Sequence, residues 1–175
     1  DCGFEIRHLV GAPTRHRRAA GPKPNPFLPW DERLEITRVG DQHVLILNKY
    51  PVQLGHMLLI TRSWQPQVGW LSLEDWTAVC RVNQESTGLW FFNSGPQAGA
   101  SQPHRHLQLL PRKAGARLCP REPWFQQHLL DGSGTVPGNT LQNSVRIQPL
   151  PATWSGTTLS AAYLELCERS GLGSP

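Results

Sequence analysis

The stretch Asn93–Pro111, which reads NSGPQAGASQPHRHLQLLP, contains a strand with a two-residue alternation of side chains. Side chains of a β-strand alternate between the two faces of a sheet. The alternation predicts two sets: His104, His106, Gln108 and Leu110 on one face, and Arg105, Leu107 and Leu109 on the other. We expect the leucines of the second set to anchor the core. The two histidines and the glutamine then face a cleft or solvent.

The loop before this strand has the composition of a phosphate-binding loop. Gly95 and Gly99 allow tight turns and a close approach of the backbone to a ligand. Ala100 is small, and Ser101 and Gln102 add side-chain donors. Successive backbone N–H groups in such a loop form a concave site for anions. We therefore expect phosphate oxygens to bind beside the strand.

The histidines and the glutamine suit transfer of a phosphoryl-type group. A neutral imidazole at His106 can attack phosphorus and hold a covalent phosphoramidate. Gln108 can donate hydrogen bonds to an oxygen whose charge grows in the transition state. A backbone carbonyl near His104 can fix the ring tautomer that leaves a nucleophilic nitrogen. The predicted catalytic residues are therefore His106, Gln108 and His104.

The rest of the chain predicts hairpin-connected strands with a few helices. Further strands are expected at 33–38, 43–49, 56–61, 89–93 and 145–150, with 89–93 in the centre of the sheet. Helices are expected from Ser72 to Gly88, at 123–130 and at 159–167, with Asp75 completing a capping box at Ser72. This order favours an α+β fold with a mostly antiparallel sheet.

Composition sets the outer limits. The 175 residues are enough for one hydrophobic core, and the 16 glycines and 16 prolines disfavour a long helical bundle. A net charge of +4 suits a polyanionic ligand as well as an ordinary basic surface. Four scattered cysteines give no zinc-binding pair. Because no membrane-spanning run, signal peptide or lipidation motif is visible, we expect a cytoplasmic protein with no membrane or nucleic-acid partner.

The string GASQPHRHLQLLP at 99–111 resembles the diadenosine polyphosphate phosphorylases (ATP adenylyltransferases) of the histidine triad superfamily. Three other stretches are similar to that family: 25–29, 47–51 and 56–62. The resemblance runs from near the start of the chain to Pro111 and is looser beyond it. It implies a histidine-triad-like α+β fold, with residues 1–175 forming one nucleotidyltransferase domain that is incomplete at both ends.

The resemblance also implies a reaction. Diadenosine tetraphosphate and inorganic phosphate would give ATP and ADP through a covalent adenylyl group on His106. Gln108 matches the glutamine that replaces the third histidine of the related hydrolases. No tightly bound cofactor is implied, but Mg²⁺ or Mn²⁺ would accompany the substrate. The positions that match nucleotide and phosphate contacts are Asn48, Lys49, Asn93, Ser94, Gly95, Gly99, Ala100, Ser101 and Gln102.

Two other functions stay open at this stage. His104 and His106 share a face and, with His43 or His56, would supply the ligands of a metal-dependent hydrolase. Alternatively, the chain binds nucleotides without catalysis. If the chain is a phosphorylase, we expect His56 to pack or cap near the start of its strand and not to react. The sequence does not define the oligomeric state.

Overall fold

The computed structural model describes residues 24–117, 119–130 and 145–173, which form a five-stranded antiparallel sheet and three α-helices. The strands are β1 (Glu35–Val39), β2 (His43–Leu47), β3 (Met57–Thr61), β4 (Gly88–Phe91) and β5 (His106–Pro111). The helices are α1 (Leu73–Glu85), α2 (Glu122–Leu130) and α3 (Gly156–Arg169), with short 3-10 turns at Glu32–Leu34 and Pro96–Ala98. The predicted α+β class with an antiparallel sheet is confirmed.

The sheet order is β1-β2-β3-β5-β4, and each neighbouring pair is antiparallel. One face packs against α1 and α3 through a cluster that includes Leu59, Leu107 and Leu109. The opposite face carries a second, smaller cluster: Phe27, Val44, Ile46, Leu58 and Ile60. Strand β5 is therefore covered on both faces at its start, where His106 lies beside this second cluster.

Helix α1 begins as the sequence predicts. The Ser72 hydroxyl accepts a hydrogen bond from the Asp75 N–H, and the Asp75 carboxylate accepts one from the Ser72 N–H. This reciprocal pair satisfies two N–H groups that a helix start otherwise leaves unpaired. The helix ends at Glu85. Strand β4 begins at Gly88, where the Leu110 backbone passes so close that there is no room for a side chain.

Two predicted strands differ from the structure. The strand expected in the centre at 89–93 is β4, which pairs with β5 at the edge of the sheet. Residues 145–150 add no strand to the described sheet: Arg146 forms only an isolated bridge, and Pro149 lacks the N–H that a ladder needs. Instead, Gln148 accepts a hydrogen bond from Arg169 at the end of α3. Across the described residues, no helix has the length and apolar character to cross a membrane.

Candidate active site

A cleft of about 620 Å³ opens on the sheet face that carries the second cluster, between the end of β2, the start of β5 and the 94–103 loop. One half of its wall is apolar and includes Phe27, Trp30 and Leu58. The other half is polar. Eight predicted site residues line it: Asn48, Lys49, Asn93, Gly99, Ser101, Gln102, His106 and Gln108. The alternation of side chains along β5 thus brings the predicted nucleophile and glutamine to one cavity.

His106 is held in the tautomer that nucleophilic attack requires. Its Nδ1–H donates to the His104 carbonyl oxygen at 2.8 Å, which leaves the lone pair on Nε2. The ring is buried and packs against Phe27, with 5.4 Å between ring centroids. Burial lowers the pKa of His106 below its usual value and outweighs the hydrogen bond to His104, which raises it. The imidazole is therefore neutral at pH 7.

His104 differs from the prediction in the placement of its side chain, whereas its backbone carbonyl lies where the prediction needs it. Its side chain is fully buried and lies outside the cleft lining. The Asn25 side-chain amide, fixed by the Phe27 N–H on its oxygen, donates to His104 Nδ1 at 2.9 Å. His104 Nε2–H donates to the Thr61 carbonyl at 2.8 Å. Both ring nitrogens of His104 are therefore bonded within the protein, and its backbone carbonyl is the group that contacts the His106 ring.

Gln108 is oriented by His56, for which the sequence predicts only a packing or capping role. His56 Nε2–H donates to Gln108 Oε1 at 3.1 Å. His56 Nδ1 accepts from the Asn48 amide at 3.1 Å, and Asn48 Oδ1 accepts from the Tyr50 N–H at 3.0 Å. This series of hydrogen bonds fixes the Gln108 and Asn48 amides and the His56 ring in one orientation each. Among the described residues no group accepts from the Gln108 amide nitrogen, which is left for a ligand.

The pairing of β3 with β5 explains why His56 lies beside Gln108. Antiparallel pairing places Leu58 opposite Gln108, so His56, two residues earlier, shares their face. Asn48 is likewise a support for His56, whereas Lys49, exposed at the cleft rim, is the cation of this segment that can approach a ligand. Asn48 also lines the cleft, so its predicted contact with the nucleotide stays a prediction.

The 94–103 loop offers fewer free N–H groups than its composition suggests. Gly95 and Gly99 both have positive φ angles, of 83° and 91°, which agree with the tight turns expected at these two positions. The N–H groups of Ala98, Gly99 and Ala100 bond within the loop. Those of Ser101 and Gln102 donate to no group in the described part of the chain, and both residues line the cleft. Ser94, Gly95 and Ala100 lie outside the lining and shape the loop.

The metal-hydrolase alternative is not supported by the donor geometry. His43 belongs to the opposite face of the sheet from His106, where its Nε2 bonds the Asp75 carboxylate at 2.8 Å. Both nitrogens of His104 are already bonded. Within the described ranges, no three His, Cys, Asp or Glu side chains are grouped to hold a metal ion. His104 and His106 together thus supply one available imidazole nitrogen, on His106.

The burial of these histidines predicts a loss of stability in mild acid. Burial lowers the pKa values of His56, His104 and His106 in the folded chain. Below about pH 6.5 the unfolded chain then binds more protons, so the free energy of unfolding falls as the pH falls. Urea unfolding at pH 7.5, 6.5 and 5.5 measures this slope.

The control is His104→Gln, in which one of the three groups cannot titrate. Its unfolding free energy should be lower at pH 7.5 but should fall less steeply toward pH 5.5. Equal stability of the unmodified chain at pH 7.5 and 5.5 would contradict the assignment of neutral, buried rings.

Comparison with known proteins gives a consistent match. A model of the family described as the Ap4A phosphorylase N-terminal domain matches residues 7–126. The chain is 33% identical to Protein APA1 of Saccharomyces cerevisiae, over 91% of this chain and 53% of that protein.

Two crystal structures of yeast Ap4A phosphorylase Apa2 share the fold. The complex with Ap4A matches with a TM-score of 0.63 and 28% identity, and the complex with AMP with 0.65 and 29%. These matches cover 84% and 85% of this chain and 56% and 55% of the yeast chains. The chain thus spans about half the length of the relatives it matches.

Proposed function

Because the chain belongs to the Ap4A phosphorylase N-terminal domain family, we propose that it catalyses the phosphorolysis of diadenosine tetraphosphate (Ap4A) to ATP and ADP. The observation that supports this most directly is the hydrogen bond from His106 Nδ1–H to the His104 carbonyl, which leaves a lone pair on Nε2. His106 lines a cleft whose wall also carries amide and N–H donors. The substrate is a dinucleoside polyphosphate, and the acceptor is inorganic phosphate.

In the first step His106 Nε2 attacks the α-phosphorus of one adenosine end. A P–N bond forms, the P–O bond to the remaining triphosphate breaks, and ATP leaves with the bonding electrons. The ring becomes positively charged, and Nδ1–H stays bonded to the His104 carbonyl, which stabilises this charge. In the second step a phosphate oxygen attacks the same phosphorus. ADP leaves, and the neutral imidazole is restored.

The polar wall stabilises the charge that builds on the phosphoryl oxygens. The Gln108 amide nitrogen, oriented by His56, donates to a non-bridging oxygen, and the N–H groups of Ser101 and Gln102 receive the neighbouring phosphate. Lys49 neutralises the polyphosphate at the rim. The apolar half of the cleft, with Trp30, accommodates the nucleoside.

A divalent cation, Mg²⁺ or Mn²⁺, is proposed to enter with the polyphosphate. The carboxylate that lines the described cleft, Asp31, is paired with Arg33 at 2.7 Å, so the donors that suit the cation are the substrate's own phosphates. Such an ion would neutralise phosphate charge. The cytoplasmic location remains a prediction from the sequence.

The proposed function is tested by the products. The chain is incubated with Ap4A and a divalent cation, with and without inorganic phosphate, and the nucleotides are separated by chromatography. We expect ATP and ADP in equal amounts, with turnover dependent on phosphate. Binding of Ap4A with no product in either case would instead indicate a nucleotide-binding module without catalysis.

Gln108→His should shift the second step toward hydrolysis. An amide cannot remove a proton from attacking water, whereas phosphate arrives as an anionic nucleophile and needs no base. An imidazole at this position can take the proton, so the ratio of AMP to ADP released should rise. The ratio is measured at fixed phosphate against the unmodified chain. An unchanged ratio would contradict this role for residue 108.

A further inference from the structure

Gln67, in the connection between β3 and α1, is inserted between two strands of the sheet. Its side chain is 2% exposed. Its Oε1 accepts from the His106 N–H at 2.7 Å, while its Nε2 donates to the Asn93 carbonyl at 2.9 Å and to the His106 carbonyl at 3.1 Å. Both amide hydrogens and the oxygen are used. If the Gln67 amide were flipped, its NH₂ group would face the His106 N–H, and two donors would meet. The observed orientation is therefore fixed.

The position of this amide in the strand register is informative. The β4–β5 ladder ends where Phe91 pairs with Gln108. If the same register continued for two more residues, Asn93, two after Phe91, would lie directly opposite His106, two before Gln108. The Gln67 amide occupies that place and bonds both residues. The two strands are therefore held one side-chain amide apart at the point where β4 leads into the 94–103 loop.

The 65–70 segment that presents Gln67 is itself held to the far end of the same loop. The Gln67 N–H donates to the Pro103 carbonyl, and the Arg105 N–H donates to the Gln65 carbonyl, both at 2.8 Å. The Val68 side chain lies so close to Gly95 that a Cβ atom there would approach it to 2.9 Å. The 65–70 segment thus contacts the loop at its start and at its end.

Arg105 fixes this segment from the other face of β5. Its guanidinium donates to the carbonyls of Pro66, Val68 and Trp70, and to the Asp75 carboxylate at 2.9 Å. An arginine with several planar donors is suited to hold a bent backbone in one shape. The Arg105 side chain, directly before β5, therefore holds the backbone segment that carries Gln67.

We propose that Gln67 is a positioning residue that sets the distance between His106 and the phosphate-binding loop. The inference rests on the proposed adenylyl transfer and extends it to a residue that touches neither the cleft nor the substrate. Without the amide, β4 and β5 can close or slip at Asn93, and the imidazole is displaced relative to the bound phosphoryl group. Because displacements of about 1 Å cost up to about 100-fold in rate, the effect falls on the chemical step.

The test compares Gln67→Met with Gln53→Met in single-turnover adenylylation by Ap4A, followed by intact mass. Gln53 is a matched control because its amide donates to the Pro111 carbonyl at the opposite end of β5, outside the cleft. We expect Gln67→Met to lower the rate constant at saturating Ap4A about 10- to 100-fold, with less than about threefold change in the half-saturating concentration. Gln53→Met should change neither.

The measurement separates positioning from folding. A residue needed only for stability would lower the fraction of chains that react, and the rate constant of the folded ones would not change. Gln67→Asn, which keeps the amide but shortens its reach by one methylene, is used if Gln67→Met does not fold. Unchanged rate constants in the folded variant would overturn the inference alone, whereas no adduct on the unmodified chain would overturn the proposed function and the inference with it.

Discussion

Replacing His106 with alanine is expected to abolish the covalent adenylyl group and to lower Ap4A turnover by at least about 10⁴-fold. The variant removes the nucleophile, and losses of this size or larger are observed when a covalent catalyst is deleted. Nothing else that lines the described cleft has an imidazole nitrogen with a lone pair in reach, since both nitrogens of His56 are bonded. Turnover is measured from ATP released per chain.

The same variant should remain folded but less stable. His106 lies away from the α1 and α3 core, as the sequence predicts, but its ring is only 4% exposed and packs on Phe27. Deleting it leaves a cavity, and a loss of about 1–3 kcal/mol is expected. Thermal unfolding tests whether the variant is folded, and equilibrium binding of AMP tests whether its site persists. Normal turnover in a folded His106→Ala chain would contradict the proposed mechanism.

Replacing Gln108 with methionine is expected to lower the rate of adenylylation by about 10² to 10³. Methionine fills a similar volume but has no N–H donor for the phosphoryl oxygen, and losses of this size follow removal of one such donor. The bond between His56 and Gln108 is also lost, so His56 keeps a polar N–H without its partner. Rates are measured under saturating Ap4A, where a loss of binding alone has no effect.

The control for this substitution is Gln126→Met on the exposed surface of α2, where the glutamine bonds only Glu122 among the described residues. It should leave the rate unchanged. An equal rate for Gln108→Met and the unmodified chain would show that Gln108 does not stabilise the transition state, and would leave His106 as the sole contributor from β5.

The sequence predicts the parts of the site that depend on local geometry. The two-residue period of β5 places His106 and Gln108 on one face because side-chain direction is a property of the strand itself. The capping box of α1 and the positive φ angles of Gly95 and Gly99 are local in the same way. The tautomer of His106 was predictable because the nearest carbonyl, that of His104, is two residues away.

Long-range choices of partner were not predictable from the same patterns. His104 shares a face with His106, yet only burial among Phe27, Asn25 and Thr61 shows that its ring is used within the protein. The contact between Gln67 and His106 joins residues 39 apart in sequence, and neither has a local signal for it. The 145–150 segment shows the converse error: apolar alternation predicted a strand, but only a bridge at Arg146 forms, and Pro149 cannot donate to a ladder.

Intact mass measures directly whether His106 Nε2 becomes covalently attached to AMP. The chain is incubated with Ap4A and a divalent cation without phosphate, and the modified peptide is mapped. We expect a mass gain of one AMP on His106, and we expect added phosphate to remove this adenylyl group as ADP. A folded chain that binds Ap4A but gains no mass, or one that is modified at another residue, would contradict it.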